Sequence, residues 1–173
     1  LTALFFGATL SPSIAIGVKL IDSTTSKGEK IELAQSPTQM TVQNLEGFDG
    51  IITALNVTPN GKYLIVGTGD NTINLIDTEK QTVIYTQRSK VNDFSDIAIN
   101  QNGQLMAIAA DNNVDIRRVA DGTRIKSLSG HTNKVSGIAF SPDEKILVSV
   151  SGGDRSIRIW DVESGELLQT LTE

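Results

Sequence analysis

Residues 130–161 read GHTNKVSGIAFSPDEKILVSVSGGDRSIRIWD, and their punctuation decides the fold. Two apolar runs, Val135 to Phe140 and Ile146 to Ser151, flank the turn signal Ser141-Pro142-Asp143-Glu144, in which Pro presets the approach angle of a tight turn. A second turn through Asp154 leads into Ile157-Arg158-Ile159, where apolar and polar side chains alternate with the period of a strand. A fourth run, Leu167 to Leu171, completes a unit of four strands.

The same unit occurs twice upstream. Placing Asp154 over Asp111 and Asp70 gives offsets of 43 and 41 residues and brings Trp160-Asp161, Arg117-Arg118 and Ile76-Asp77 into register. The first strands are then Ile52 to Val57 and Phe94 to Ile99, and the turns after them are Thr58-Pro59-Asn60-Gly61 and Asn100-Gln101-Asn102-Gly103. Asn-Gly suits a tight hairpin because both residues tolerate positive φ. The second strands are Tyr63 to Thr68 and Gln104 to Ala110, the third Ile73 to Leu75 and Val114 to Ile116, and the outer ones Val83 to Thr86 and Arg124 to Leu128. No stretch has helical periodicity. Four antiparallel strands every 40 to 45 residues or so are the unit of a propeller blade, which cannot bury both of its faces alone and must stack on a neighbour.

The third unit resembles a WD (Trp-Asp) repeat through Gly130-His131, Ser141-Pro142-Asp143, Ser149, Asp154 and Trp160-Asp161. The resemblance covers about residues 39–173. It implies an all-β chain of four-stranded antiparallel blades, three complete repeats of a larger, seven-bladed ring of bacterial type. It also implies a buried hydrogen-bonded network from the Trp160 indole to Ser149, His131 and Asp154, which would fix strand register. The first two units depart from the pattern. Phe48, Val66 and Ile76 stand at the His, Ser and Trp positions of one, and Lys90, Ile108 and Arg117 at those of the other. Packing alone is expected to hold these blades.

Propellers close with about 4 to 8 blades. Three repeats are fewer, so an exposed blade face is expected at each end, with the remaining blades of the same propeller as partners. Met40 to Leu45 reads as an outer strand ahead of the first repeat. Leu1 to Leu10 is apolar and too short to span a bilayer, and Ser13 and Ala15 have the spacing of a cleavage site. The expected organisation is a truncated signal peptide at 1–15, a polar tether at 16–38, and a partial propeller at 39–173 with repeats at about 47–88, 89–129 and 130–173. The alternative is a strand of a preceding blade around Val18 to Asp22. Export would place the chain in the periplasm or outside the cell, with no membrane insertion of the mature domain; the buried-strand reading leaves it cytoplasmic.

Composition narrows the partners. The 173 residues are 39% hydrophobic and 20% charged, as in a globular domain, and the net charge of −5 has the wrong sign for coating nucleic acid. With 0 cysteines, disulfides, thiolate metal sites and thiol catalysis are excluded. Ser149, His131 and Asp154 are the residue types of a hydrolase triad, but Val148 and Val150 flank the serine within a strand instead of forming an exposed nucleophile elbow. Asp111-Asn112-Asn113-Val114-Asp115 opens like a calcium loop, yet Ile116 stands where that loop requires Gly. No cofactor or metal site is legible.

The expected function is therefore a non-catalytic scaffold that binds another protein or peptide. The alternative is the regulatory or sensor propeller of a larger envelope enzyme. In WD-repeat propellers one rim is a frequent partner site, and here it would offer Asp49, Asn71, Lys90, Asn112, Arg117, Lys134 and Arg155. For any one of them, a merely solvated turn is the competing reading.

Overall fold

The computed structural model describes residues 16–21, 30–35, 44–45, 51–89 and 94–172. Among these there is no helix. Three sheets of four antiparallel strands follow one another along the chain, each a meander of consecutive strands. The first contains β4 (Ile52–Val57), β5 (Tyr63–Thr68), β6 (Thr72–Asp77) and β7 (Thr82–Arg88). The second contains β8 (Phe94–Ile99), β9 (Leu105–Ala110), β10 (Asn113–Arg118) and β11 (Arg124–Ser129). The third contains β12 (Gly137–Phe140), β13 (Ile146–Ser151), β14 (Ser156–Asp161) and β15 (Leu167–Thr172).

Turn chemistry explains the joints. Gly61, Gly103 and Glu144 occupy the same corner of the three first turns at φ 71, 72 and 64, the left-handed region that Asn-Gly pairs supply. Asn60, Asn102 and Asp143 each accept a backbone N–H two residues on, which closes the corner. Each outer strand then carries a β-bulge at the same place, so that Ile84, Ile125 and Leu168 are skipped in the pairing and are left 47%, 45% and 53% exposed.

The core lies between the sheets. The central strand β9, sequence LMAIAA, is apolar on both sides because both sides are covered. Its Met106, Ile108 and Ala110 pack with Ile65, Ile73, Leu75 and Phe94 in the first interface. Ala107 and Ala109 face the second, with Leu147, Trp160 and Leu128. Each large side chain buried this way contributes about 1.5–3 kcal/mol relative to exposure. The inner strands are also tied across sheets, since Asn56 donates its side-chain amide to the Ile97 carbonyl at 2.8 Å and the Ile138 N–H donates to Asp96 at 2.9 Å.

Two expectations change. Leu64, Val66 and Ile76, on the face of the first sheet turned away from the second, are buried, so among the residues whose burial is described the exposed end face is that of the third sheet. There Val148 and Val150 are half-buried and Ile157 is exposed. The segment 16–38, expected as a polar tether, contains β1 (Ile16–Ile21) and β2 (Lys30–Gln35), which pair antiparallel with each other, and β2 pairs on its other side with β3 (Asn44–Leu45). The reason is local: Ile16, Val18 and Leu20, then Ile31 and Leu33, alternate with the period of a strand. β1 overlaps the alternative strand around Val18 to Asp22, whereas residues 1–15 lie outside the described residues.

Candidate functional site

The third sheet contains a relay of four side chains. The Trp160 indole N–H can only donate, and it donates to Ser149 Oγ at 2.8 Å. Ser149 in turn lies 2.8 Å from His131 Nε2, and His131 Nδ1 lies 2.8 Å from Asp154 Oδ2. The Asp154 carboxylate can only accept, so the His131 proton it faces sits on Nδ1, and in the neutral imidazole Nε2 is then the acceptor for the Ser149 hydroxyl proton. Ser156 donates to the other Asp154 oxygen at 2.7 Å, and the Thr132 N–H adds a bond at 3.0 Å. The relay joins the loop before β12 to β13, the β13–β14 turn and β14. Ser149 is fully buried and Trp160 nearly so, which leaves the serine out of reach of any substrate despite its triad-like company.

Burial alone would push the Asp154 carboxyl up, but the bonds from Ser156, His131 and Thr132 outweigh it and hold the group well below the usual carboxylate range. A carboxyl depressed by folding contributes stability above its unfolded pKa, near 3.9, and loses that contribution as pH falls toward the folded value. Asp154→Asn is therefore expected to be less stable than the parent at pH 7 and to lose stability less steeply below about pH 4. Urea midpoints measured across that range check this. The decline should be shallower and still present, because Asp70, Asp77, Asp121, Asp143 and Asp161 are also held low by turn hydrogen bonds.

The first two sheets have substitutes for the relay and do not rest on packing alone. In the first, Thr86 donates to Asn74, Asn74 to Thr72, and Thr72 and Thr68 both to Asp70. In the second, Asp115 and Arg117 form a buried ion pair at 3.0 Å, with Arg124 3.6 Å from the same carboxylate. Arg117 also donates to Gln87 on β7 of the preceding sheet, at 3.0 Å. Nearby, the Tyr85 hydroxyl donates to the Val119 carbonyl, and burial pushes the phenol up to about 12. Arg117 is thus 7% exposed and lies in an interface, not on the rim where the sequence reading places it. Two positions apart on one strand, Asp115 and Arg117 point to the same face, and this pairing is the signal that reading misses.

The remaining rim residues fall at one end of the sheets. Asn71, Asn112 and Arg155 lie in the β5–β6, β9–β10 and β13–β14 turns, with Asn71 and Arg155 left-handed at φ 69 and 55. Lys134 lies in the loop that leads to β12, where its N–H donates to Asn133. Asn133 packs directly against Gly153, at whose position a Cβ would fall 2.3 Å from the Asn133 side chain. Arg155 is exposed, while Lys134, Asn71 and Asn112 are half-buried. Asp49 and Lys90 lie outside the described residues. The structure adds Ile51, whose carbonyl accepts the Gly69 N–H of the β5–β6 turn and whose side chain is 70% exposed. Its sequence signal is the doubled Ile51-Ile52, in which strand alternation turns one of the pair outward.

The WD domain, G-beta repeat family model matches residues 122–161, and the anaphase-promoting complex subunit 4 WD40 domain model matches residues 19–102. An uncharacterized WD repeat-containing protein of Synechocystis is 65% identical over 132 residues, which are 76% of this chain and 38% of that protein. COMPASS component SWD3 of Saccharomyces cerevisiae is 30% identical over 122 residues, 69% of this chain and 38% of its own length. Guanine nucleotide-binding protein subunit beta-5b of Danio rerio is 33% identical over 105 residues, 59% of this chain and 26% of its own. The chain thus spans about two fifths or less of these curated relatives. Among solved structures, U3-55K superposes with a TM-score of 0.70 at 24% identity, covering 75% of this chain and 41% of that one. The WD40 repeats of RRP9 superpose with a TM-score of 0.69 at the same identity and coverage. With stacked four-stranded sheets, a Trp–Ser–His–Asp relay and these matches, the chain belongs to the WD-repeat β-propeller family and has a close bacterial relative.

Proposed function

We propose that this chain is a non-catalytic scaffold that binds a peptide segment of a partner protein along the rim formed by the β5–β6, β9–β10 and β13–β14 turns. The observation that carries this reading is Ile51, a large aliphatic side chain 70% exposed beside the β5–β6 turn, on the same rim as Arg155 and Lys134. An exposed apolar side chain on an otherwise polar rim is a candidate anchor for a partner. The rim also carries Asn71 and Asn112, able to donate to and accept from a peptide backbone. The net charge of −5 favours a protein partner over a polyanion. Relatives whose names describe them as a component or a subunit of a complex support the same reading.

Partners captured by the full-length protein provide the test. Reversing Lys134 and Arg155 together to Glu is expected to weaken capture about tenfold and to change thermal stability by about 0.5 kcal/mol or less, as surface substitutions do. Ile51→Ser should act in the same direction. Capture that survives both changes, and is instead abolished by substitution of Lys126 or Gln169 on the outer strands, would move the site to the side of the ring.

A further inference from the structure

At the end of the sheets opposite that rim, the interface between the first and second sheets opens into a cleft of about 440 Å³. Tyr63, Leu75 and Ile84 line it from the first sheet, and Leu105 and Val119 from the second. Its size is that of a small-ligand or side-chain pocket. The next interface shows why this one is open. Glu144 occupies the left-handed corner of the third sheet, a strained place for a residue with a side chain, and its carboxylate reaches back to accept from both the Asn102 backbone N–H and its side-chain amide at 2.5 Å. Lys126 adds a bond from β11 across to the Val162 carbonyl at 3.4 Å, the counterpart of the Tyr85 bond to the Val119 carbonyl at 2.9 Å in the first interface. In the second sheet the same corner is Gly103, at φ 72, so no corner carboxylate reaches back to the preceding sheet there. A Cβ at Gly103 would meet Pro59 and Thr58 of that sheet.

We infer that this cleft is a second docking site, and that its occupant is a partner peptide presenting a bulky apolar side chain next to a carboxylate. The walls are apolar except at the mouth, where Gln104 and Arg118 stand, and Arg118 is the one charged residue lining it. Arg118 pairs with Asp121 at 2.7 Å, but the two side chains are 53% and 47% exposed. A pair so solvated contributes little and exchanges readily for an incoming carboxylate. Ile84, pushed outward at its bulge, supplies the exposed lip over which an apolar side chain enters. The site is separate from the rim and does not depend on it.

The test is a titration of the methyl-labelled chain, followed by NMR, with the peptide acetyl-Phe-Glu-Gly-amide. Acetyl-Phe-Lys-Gly-amide and acetyl-Ala-Glu-Gly-amide serve as comparators. Methyl shifts at Leu75, Ile84, Leu105 and Val119 are expected to saturate with the first peptide, and each comparator should bind about fivefold or more weakly. Gly103→Glu, which copies the residue that closes the neighbouring interface, should abolish these shifts. Arg118→Glu, at an exposed position that leaves the fold intact, should reverse the preference between Glu and Lys. Ile84→Ser should weaken binding if Gly103→Glu fails to fold, and Lys134→Glu should leave it unchanged. Absence of saturation by about 10 mM peptide would overturn the proposal, as would equal binding of the three peptides. Methyl shifts that depend on protein concentration without any peptide would do so as well, by assigning the cleft to a second copy of the chain.

Discussion

His131→Ala is expected to lower the stability of the chain by about 3–5 kcal/mol. Two buried polar partners are left behind. Ser149 loses its Nε2 partner and Asp154 loses a donor at 2.8 Å, each costing about 1–3 kcal/mol, and the imidazole leaves a void between them. Trp160, the only tryptophan, reports directly on the relay because its N–H ends on Ser149. Urea unfolding followed by its fluorescence measures both effects. An unchanged midpoint together with an unchanged emission maximum in the variant would show that the relay contributes nothing to stability.

In the second sheet the corresponding experiment concerns a charge. Asp115→Ala leaves the Arg117 guanidinium buried without its carboxylate and is expected to cost about 3–5 kcal/mol. Replacing both, with Asp115→Leu and Arg117→Met, removes the desolvation cost along with the attraction and is expected to come within about 1 kcal/mol of the parent, or above it. The comparison of single and double variants by urea midpoint distinguishes an ion pair that stabilises from one that only avoids harm. If Asp115→Ala proves neutral, water reaches Arg117 and the pair is not buried in solution.

The legible parts of the fold were those with local chemical causes. Pro59, Pro142 and the Asn60-Gly61 and Asn102-Gly103 pairs mark turns that the structure places where the sequence does, and the apolar runs between them are the strands. Strand boundaries shift by one or two residues. Val135 to Phe140 reads as strand, but β12 begins at Gly137, because the Val135 N–H donates to the Asp111 carbonyl of the neighbouring sheet and not to its own. The relay of the third sheet was legible only through resemblance, since nothing in the spacing of His131, Ser149 and Trp160 by itself brings them together.

The parts missed share a different cause, in that each depends on contact between sheets or on a polar residue used inside. Arg117 reads as surface because arginine is seldom buried unpaired, and its partner was in view only to a reader who followed strand faces. The ladder of Thr68, Asp70, Thr72 and Asn74 looks like ordinary turn composition. Ile51 looks like core until the strand pairing shows that Ile52, and not Ile51, faces Thr68.

The meander order of the three sheets bears on how the chain is made. Within each sheet every strand after the first pairs with its predecessor, so loop closure spans only a few residues at a time and carries little entropic cost. A sheet can therefore zip up as soon as its fourth strand leaves the ribosome. Its exposed face then waits only for the roughly 40 further residues that form the next sheet, a delay of seconds at ordinary translation rates. β9 gains cover on its second face only when Leu147 and Trp160 arrive. Growth by successive addition keeps each unfinished face short-lived, and the order of synthesis is also the order of assembly.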